Sequence, residues 1–271
     1  MLNITSKLNK DLNNVVQHQS MRKGIYLFPN LITTAGLFAG FYAIVAAMKA
    51  DFEASALALF IAVIMDSLDG RVARLTGTES AFGAQYDSLS DIVCFGVTPA
   101  LVAYNWSLQF LGKIGWLVAF LYVAATGLRL ARFNLHVDNS SSKGYFLGLP
   151  CTSAAAVVAG MLWVGQDFAI SGRAYSEIIA IMVVILSLLM VSNLRYHSFK
   201  QLDLKGNVPF IAIFLVVFIY ALVAWNPPAI LFSVFFLYAL SGILLFVKHQ
   251  INHSKNLKNS SVKKVAPIKK N

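Results

Sequence analysis

Four of the nine aspartates fall in one 26-residue window: Asp66, Asp69, Asp87 and Asp91. The first two are three apart and the last two four apart, so in helices each pair shares one face. Arg71 and Arg74 stand between the pairs, and the same window carries Gly70, Gly77 and Gly83. Two arginines cannot neutralise four clustered carboxylates, and such a cluster repels itself without a cation. Hard oxygen ligands on two facing helices suit Mg2+ or Mn2+ better than zinc, which prefers His or Cys. Two such ions would form a clamp for phosphate chemistry. The glycines allow a phosphate to come close to the backbone. Arg74, four residues after Gly70, offers a planar fork to phosphate oxygens. The pattern describes a site for a metal-bound diphosphate.

The elements that must hold these acids are membrane helices. The chain has 271 residues, 58% apolar and only 13% charged, against about 25% charged in an ordinary soluble domain. Charge-free runs at 24–48, 92–112, 114–128, 144–166 and 178–194 mark spans, and 206–247 is a double run broken at Asn226-Pro227-Pro228. With a shorter run at 54–65, the reading is an all-α, polytopic bundle of about eight transmembrane helices of ~20 residues each. They lie near 25–48, 54–74, 83–104, 113–134, 150–168, 176–194, 208–225 and 228–248. Strands are not expected, because the apolar runs are too long and do not alternate. Residues 1–24 read as a polar cytosolic lead-in, 25–248 as the membrane domain and 249–271 as a basic, disordered cytosolic tail. The net charge of +10 then records topology and contact with anionic lipid, with no nucleic-acid partner. Placing both termini in the cytosol leaves only Lys49, Lys113 and Arg173 of the 22 Lys/Arg outside, as the positive-inside rule requires. All four acids then lie at the cytosolic ends of the second and third spans, where a lipid-tailed substrate reaches them from the bilayer.

Asp66-Ser-Leu-Asp69-Gly70-Arg-Val-Ala73-Arg74, then Gly83, Asp87 and Asp91, matches D-x2-D-G-x2-A-R-x8-G-x3-D-x3-D at every fixed position. On these residues the chain resembles the CDP-alcohol phosphotransferases. Looser segments extend the resemblance towards the phosphatidylserine-forming branch: Phe28-Pro-Asn-Leu-Ile-Thr33, Gly127-Leu-Arg129-Leu-Ala-Arg132-Phe-Asn134, Phe146-Leu-Gly-Leu-Pro150 and Val191-Ser-Asn-Leu-Arg195-Tyr-His-Ser198-Phe-Lys200. Cys151-Thr-Ser departs from it, where similar proteins often carry another proline and alanines.

The resemblance implies a homodimeric enzyme of a prokaryotic cell membrane that joins L-serine to CDP-diacylglycerol and releases CMP. It implies that Asp66, Asp69 and Asp87 hold two divalent cations, with Asp91 touching the second and serving as general base. Asn30, Thr33, Gly70, Arg74, Ser80 and Gly83 become CDP-diacylglycerol contacts. The carboxylate of serine needs a cytosol-facing cation, for which Arg129, Arg132 and Asn134 are the candidates, with Arg195, Tyr196, Ser198 and Lys200 as an alternative patch.

Two other readings share some of these features. Another family member, making phosphatidylglycerol phosphate or a phosphoinositol lipid, would differ only in the acceptor pocket. A cation-coupled transporter would place acids at mid-membrane in matched, broken halves, which the single boundary cluster does not resemble. Cys94 and Cys151 read as packed hydrophobes. Tyr26, Trp106 and Trp225 read as interfacial anchors, and the small residues 153–160 as a close helix contact of the kind that also joins subunits.

Overall fold

A computed structural model describes residues 28–136, 145–197 and 210–264. Helix α1 (Phe28–Met48) leads into α2 (Phe52–Thr76). The Asp51 carboxylate caps α2 by accepting from the Ala54 N–H at 3.1 Å. Gly77 ends α2 in the left-handed conformation (φ +62°) that a glycine adopts without penalty. Ser80 then opens α3 (Ala81–Asp91) by accepting from the Gly83 N–H at 3.0 Å. A stop and a start three residues apart fold α3 back beside α2, so the two acid pairs face one another.

The third expected span is not one uniform helix. Residues Ile92–Val97 form a π-helical segment between α3 and α4 (Thr98–Trp106). There the Thr98 N–H donates to Val93 O, five residues back. Pro99 contributes to this, because it has no N–H to offer the carbonyl four residues before it. The widened turn begins directly after Asp91 and packs on α1 at Gly36 and Gly40. The Cys94 thiol donates to Gly36 O at 3.5 Å and Thr98 Oγ1 to Gly40 O at 3.3 Å. A Cβ on Gly40 would sit 3.0 Å from Cys94 Sγ. This close approach is what brings Asn30 and Thr33 of α1 to the acids.

Helices α5 (Lys113–His136), α6 (Cys151–Asp167), α7 (Ser176–Val191), α8 (Phe210–Trp225) and α9 (Pro227–Lys264) complete the bundle. Among the described residues, three stretches are long and apolar enough to cross a membrane: Phe28–Met48, Lys113–Leu135 and Pro227–Leu245. Helix α6 is the centre, packed on α2 and α9.

Several expectations are corrected. The small residues 153–160 are all buried within the chain, because α2 and α9 pack on α6, so the close helix contact lies inside the chain and not between subunits. A Cβ on Gly160 would meet Phe232 Cα at 2.8 Å. Gly160→Ala is therefore expected to push α6 and α9 apart and destabilise the fold by about 1–3 kcal/mol, read as a lower thermal midpoint in detergent. Trp106 is no interfacial anchor: it is buried, with its indole ring over Gly165 and its backbone and indole nitrogen against Gly172, glycines whose missing side chains make room for it. Trp225, by contrast, is exposed, and Tyr26 lies outside the described residues.

A strand pair also exists where none was expected. Strand β1 (Tyr145–Leu147) runs antiparallel to β2 (Arg195–His197). Three-residue strands are too short to leave a periodic signal. Tyr196 of β2 is fully buried and donates to Ala239 O at 3.0 Å, its ring seated over Gly242. Burial pushes its hydroxyl up to about 12, so it stays protonated as a structural donor. Tyr196 is thus a structural residue of the fold and leaves the alternative serine patch, while Ser198 and Lys200 lie outside the described residues. Finally, α9 continues as helix to Lys264, where a disordered tail from residue 249 was expected. A helix already formed in an apolar span extends at one hydrogen bond per residue without a new nucleus. The expected lead-in, 1–24, and residues 265–271 lie outside the described residues.

Candidate active site

The hairpin of α2 and α3 brings Asp66, Asp69 and Asp87 together, with one carboxylate oxygen of each within 4.8 Å of the others. Asp69 is buried and the other two half-buried. Asp91 adds a fourth carboxylate, hydrogen-bonded to Asp66 and within electrostatic reach of Asp87 and Asp69. Three hard oxygen donors this close, drawn from two helices held by caps and by α1, fit a hard divalent cation. The donor set contains no sulfur or imidazole, which argues against a site built for zinc.

Asp69 is held at both oxygens. The Thr33 hydroxyl donates to Oδ2 at 2.6 Å, and the Gly70 N–H donates to Oδ1 at 2.5 Å. Arg74 turns back over Gly70, its guanidinium nitrogens 3.6 and 3.9 Å from where a Cβ would stand. Its charge reaches Asp69.

Asp69 and Asp87 form one wall of a cleft of about 240 Å3. Asn30, Thr33, Gly70, Arg74, Ser80 and Gly83, all six expected contacts for the donor, line it as well. Gly83 is needed for this shape: a Cβ there would stand 3.1 Å from Ser80 Oγ and 3.3 Å from Asn30 Oδ1. Pro29, Ala73, Thr78, Glu79 and Ala84 also line the cleft and were not anticipated. Thr78 and Glu79 lie in the unspecified stretch of the motif, so spacing carried no signal for them.

A family model for CDP-alcohol phosphatidyltransferases matches residues 26–192. The chain belongs to this family. Membership and the three apolar helices mark it as a membrane protein and a transferase. Its similarity to curated relatives is broad. A CDP-diacylglycerol–serine O-phosphatidyltransferase of Helicobacter pylori is 37% identical over 235 residues, 86% of this chain and 97% of the relative. One from Methanocaldococcus jannaschii is 34% identical over 190 residues, 70% and 83% of the two chains. An archaetidylserine synthase of Methanothermobacter thermautotrophicus is 34% identical over 171 residues, 62% and 68%.

In this family member the three expected serine contacts do not line the cleft. Arg129 Nη1 donates to Cys151 Sγ at 3.1 Å, and its Nε is buried with no hydrogen-bond partner among the described residues. Cys151 in turn lies within electrostatic reach of Asp91 and Asp66, so Arg129 approaches the acids by way of Cys151, outside the cleft. Arg132 is drawn to α7's end, donating to Asn193 Oδ1 at 2.6 Å and to Val191 O at 3.4 Å. Asn134 Nδ2 donates to Ser88 Oγ at 3.2 Å. Cys94 and Cys151 are buried free thiols.

Proposed function

We propose that the chain transfers the phosphatidyl group of CDP-diacylglycerol to L-serine, forming phosphatidylserine and CMP. The observation that carries this is the triad of carboxylates, two of which, Asp69 and Asp87, line a cleft together with Gly70, Arg74, Ser80 and Gly83. The names of the relatives support serine as the acceptor.

Asp66, Asp69 and Asp87 would hold two divalent cations, Mg2+ or Mn2+, with Asp91 at the second. When bound, such ions supply neutralisation of the diphosphate and of the charge on departing CMP. Arg74, beside the open backbone of Gly70, would bind the diphosphate oxygens. Asn30 and Gly83 would seat the nucleotide, and Ser80 would shape that end of the cleft by fixing the start of α3. Serine would enter on the other side of the carboxylates, where Arg129, with an unused Nε donor, would pair with its carboxylate. Arg132 and Asn134 border that side through α7 and α3. Asp91 would accept the proton of the serine hydroxyl. The hydroxyl oxygen then bonds to the phosphorus that carries diacylglycerol as the bond to CMP breaks. Attacking and leaving oxygens on opposite sides suit an in-line displacement.

The same reading places the protein in a prokaryotic cell membrane as a homodimer with about eight spans. Both termini and the site would face the cytosol, an orientation supported by the bias of Lys and Arg.

The test is to incubate the purified protein with CDP-diacylglycerol, Mg2+ or Mn2+ and a panel of alcohols. CMP release with L-serine is expected. Release with glycerol 3-phosphate alone would move the chain to another branch of the family.

A further inference from the structure

Thr33 belongs to α1, which carries none of the four acids, yet it is buried and its hydroxyl meets Asp69 Oδ2 at 2.6 Å. The same oxygen stands 3.2 Å from Pro29 O, one turn back. A hydroxyl has one proton to give, and the shorter contact to a carboxylate is the stronger. The longer contact is the ordinary back-bond of a helical threonine, which Thr34 also makes, to Asn30 O at 2.7 Å. Asp69 is the most buried of the three clustered carboxylates, and its other oxygen is taken by the Gly70 N–H. Each of its oxygens therefore keeps one lone-pair direction for a cation, and the carboxylate plane is fixed from two sides.

We infer that Thr33 is a positioning residue for the metal site: from α1 it orients the Asp69 carboxylate for cation binding, besides lining the cleft. The inference rests on the proposed cation role of the carboxylates. Outer partners of this kind typically set metal affinity by about 10- to 100-fold. Valine has nearly the shape of threonine but no hydroxyl, so Thr33→Val removes the hydrogen bond and little else. Thr33→Ser keeps the hydroxyl and loses a methyl group.

The experiment measures Mn2+ affinity of the full chain in detergent, by electron paramagnetic resonance of free Mn2+ and by metal-induced thermal stabilisation, with no substrate present. Thr33→Val, or Thr33→Ala if the valine variant does not fold, is expected to weaken Mn2+ binding by about 10-fold or more. Thr33→Ser is expected to bind within about threefold of the parent, and Thr34→Val, which loses only a back-bond and the Tyr86 contact, to match the parent. Parent-like affinity in the valine and alanine variants would overturn the inference alone, as would equal loss in Thr33→Ser, which would make the effect one of packing. An absence of Mn2+ binding by the parent would overturn the metal reading and this inference together.

Discussion

Asp91→Asn is expected to lower kcat by about 10^2- to 10^4-fold, the usual contribution of a positioned general base. The substitution keeps size and hydrogen-bonding capacity towards Asp66, so the fold and the neighbouring carboxylates should stay in place. Because Asp66, Asp69 and Asp87 form the compact triad without Asp91, Mn2+ affinity should fall far less than turnover. The KM for CDP-diacylglycerol should change little, since Asp91 is not among the residues lining the cleft. A steady-state comparison beside a Mn2+ titration separates these quantities. Near-parental kcat would remove Asp91 as the base. A parallel collapse of Mn2+ binding would make it primarily a ligand.

Asp69→Asn is expected to act differently, abolishing measurable metal binding and lowering turnover by about three decades, the equivalent of about 4 kcal/mol of lost electrostatic stabilisation. Asp69 is the buried member of the triad and the one gripped by Thr33 and Gly70. An amide there supplies one neutral oxygen in place of a carboxylate. Its NH2 group, if turned towards Thr33 Oγ1, also reverses the donor direction of that hydrogen bond. The loss should appear in both the Mn2+ titration and the rate of CMP release. A variant that binds Mn2+ normally would show that Asp69 is held for the structure of the α1–α2 contact instead.

These two predictions draw on parts of the molecule that differ in how well the sequence displays them. The acids were visible because their spacing of three and four residues places each pair on a helical face, and because charge is scarce elsewhere in the chain. Five of the six donor contacts follow from the motif and from residues 28–33; Ser80 lies in the motif's unspecified stretch, and all six line one cleft. What remained hidden is interaction between elements. Thr33 could be placed near the nucleotide, but its bond to Asp69 crosses 36 positions, beyond the reach of helical periodicity. The spacing Gly36–Gly40 could have pointed to the α1 contact, as small residues four apart let helices approach. Trp106 and the alanines of α6 show the same limit from the other side. An aromatic near a span end and a stripe of small residues each suit lipid, a subunit or the core, and only the neighbouring helix decides. The serine pocket was the least legible, since Arg129, Arg132 and Asn134 are close in sequence but hydrogen-bond to α6, the residues beyond α7, and α3 respectively.

The most direct test of the account follows the phosphatidyl group itself. Purified protein in mixed micelles with CDP-diacylglycerol, isotope-labelled L-serine and Mn2+ is assayed by mass spectrometry for lipid product and for CMP. The account predicts labelled phosphatidylserine and CMP in one-to-one yield, both stopped by a chelator and both restored by excess Mn2+. CMP released with phosphatidic acid as the lipid product, or phosphatidylserine formed at an unchanged rate with the chelator present, would contradict it.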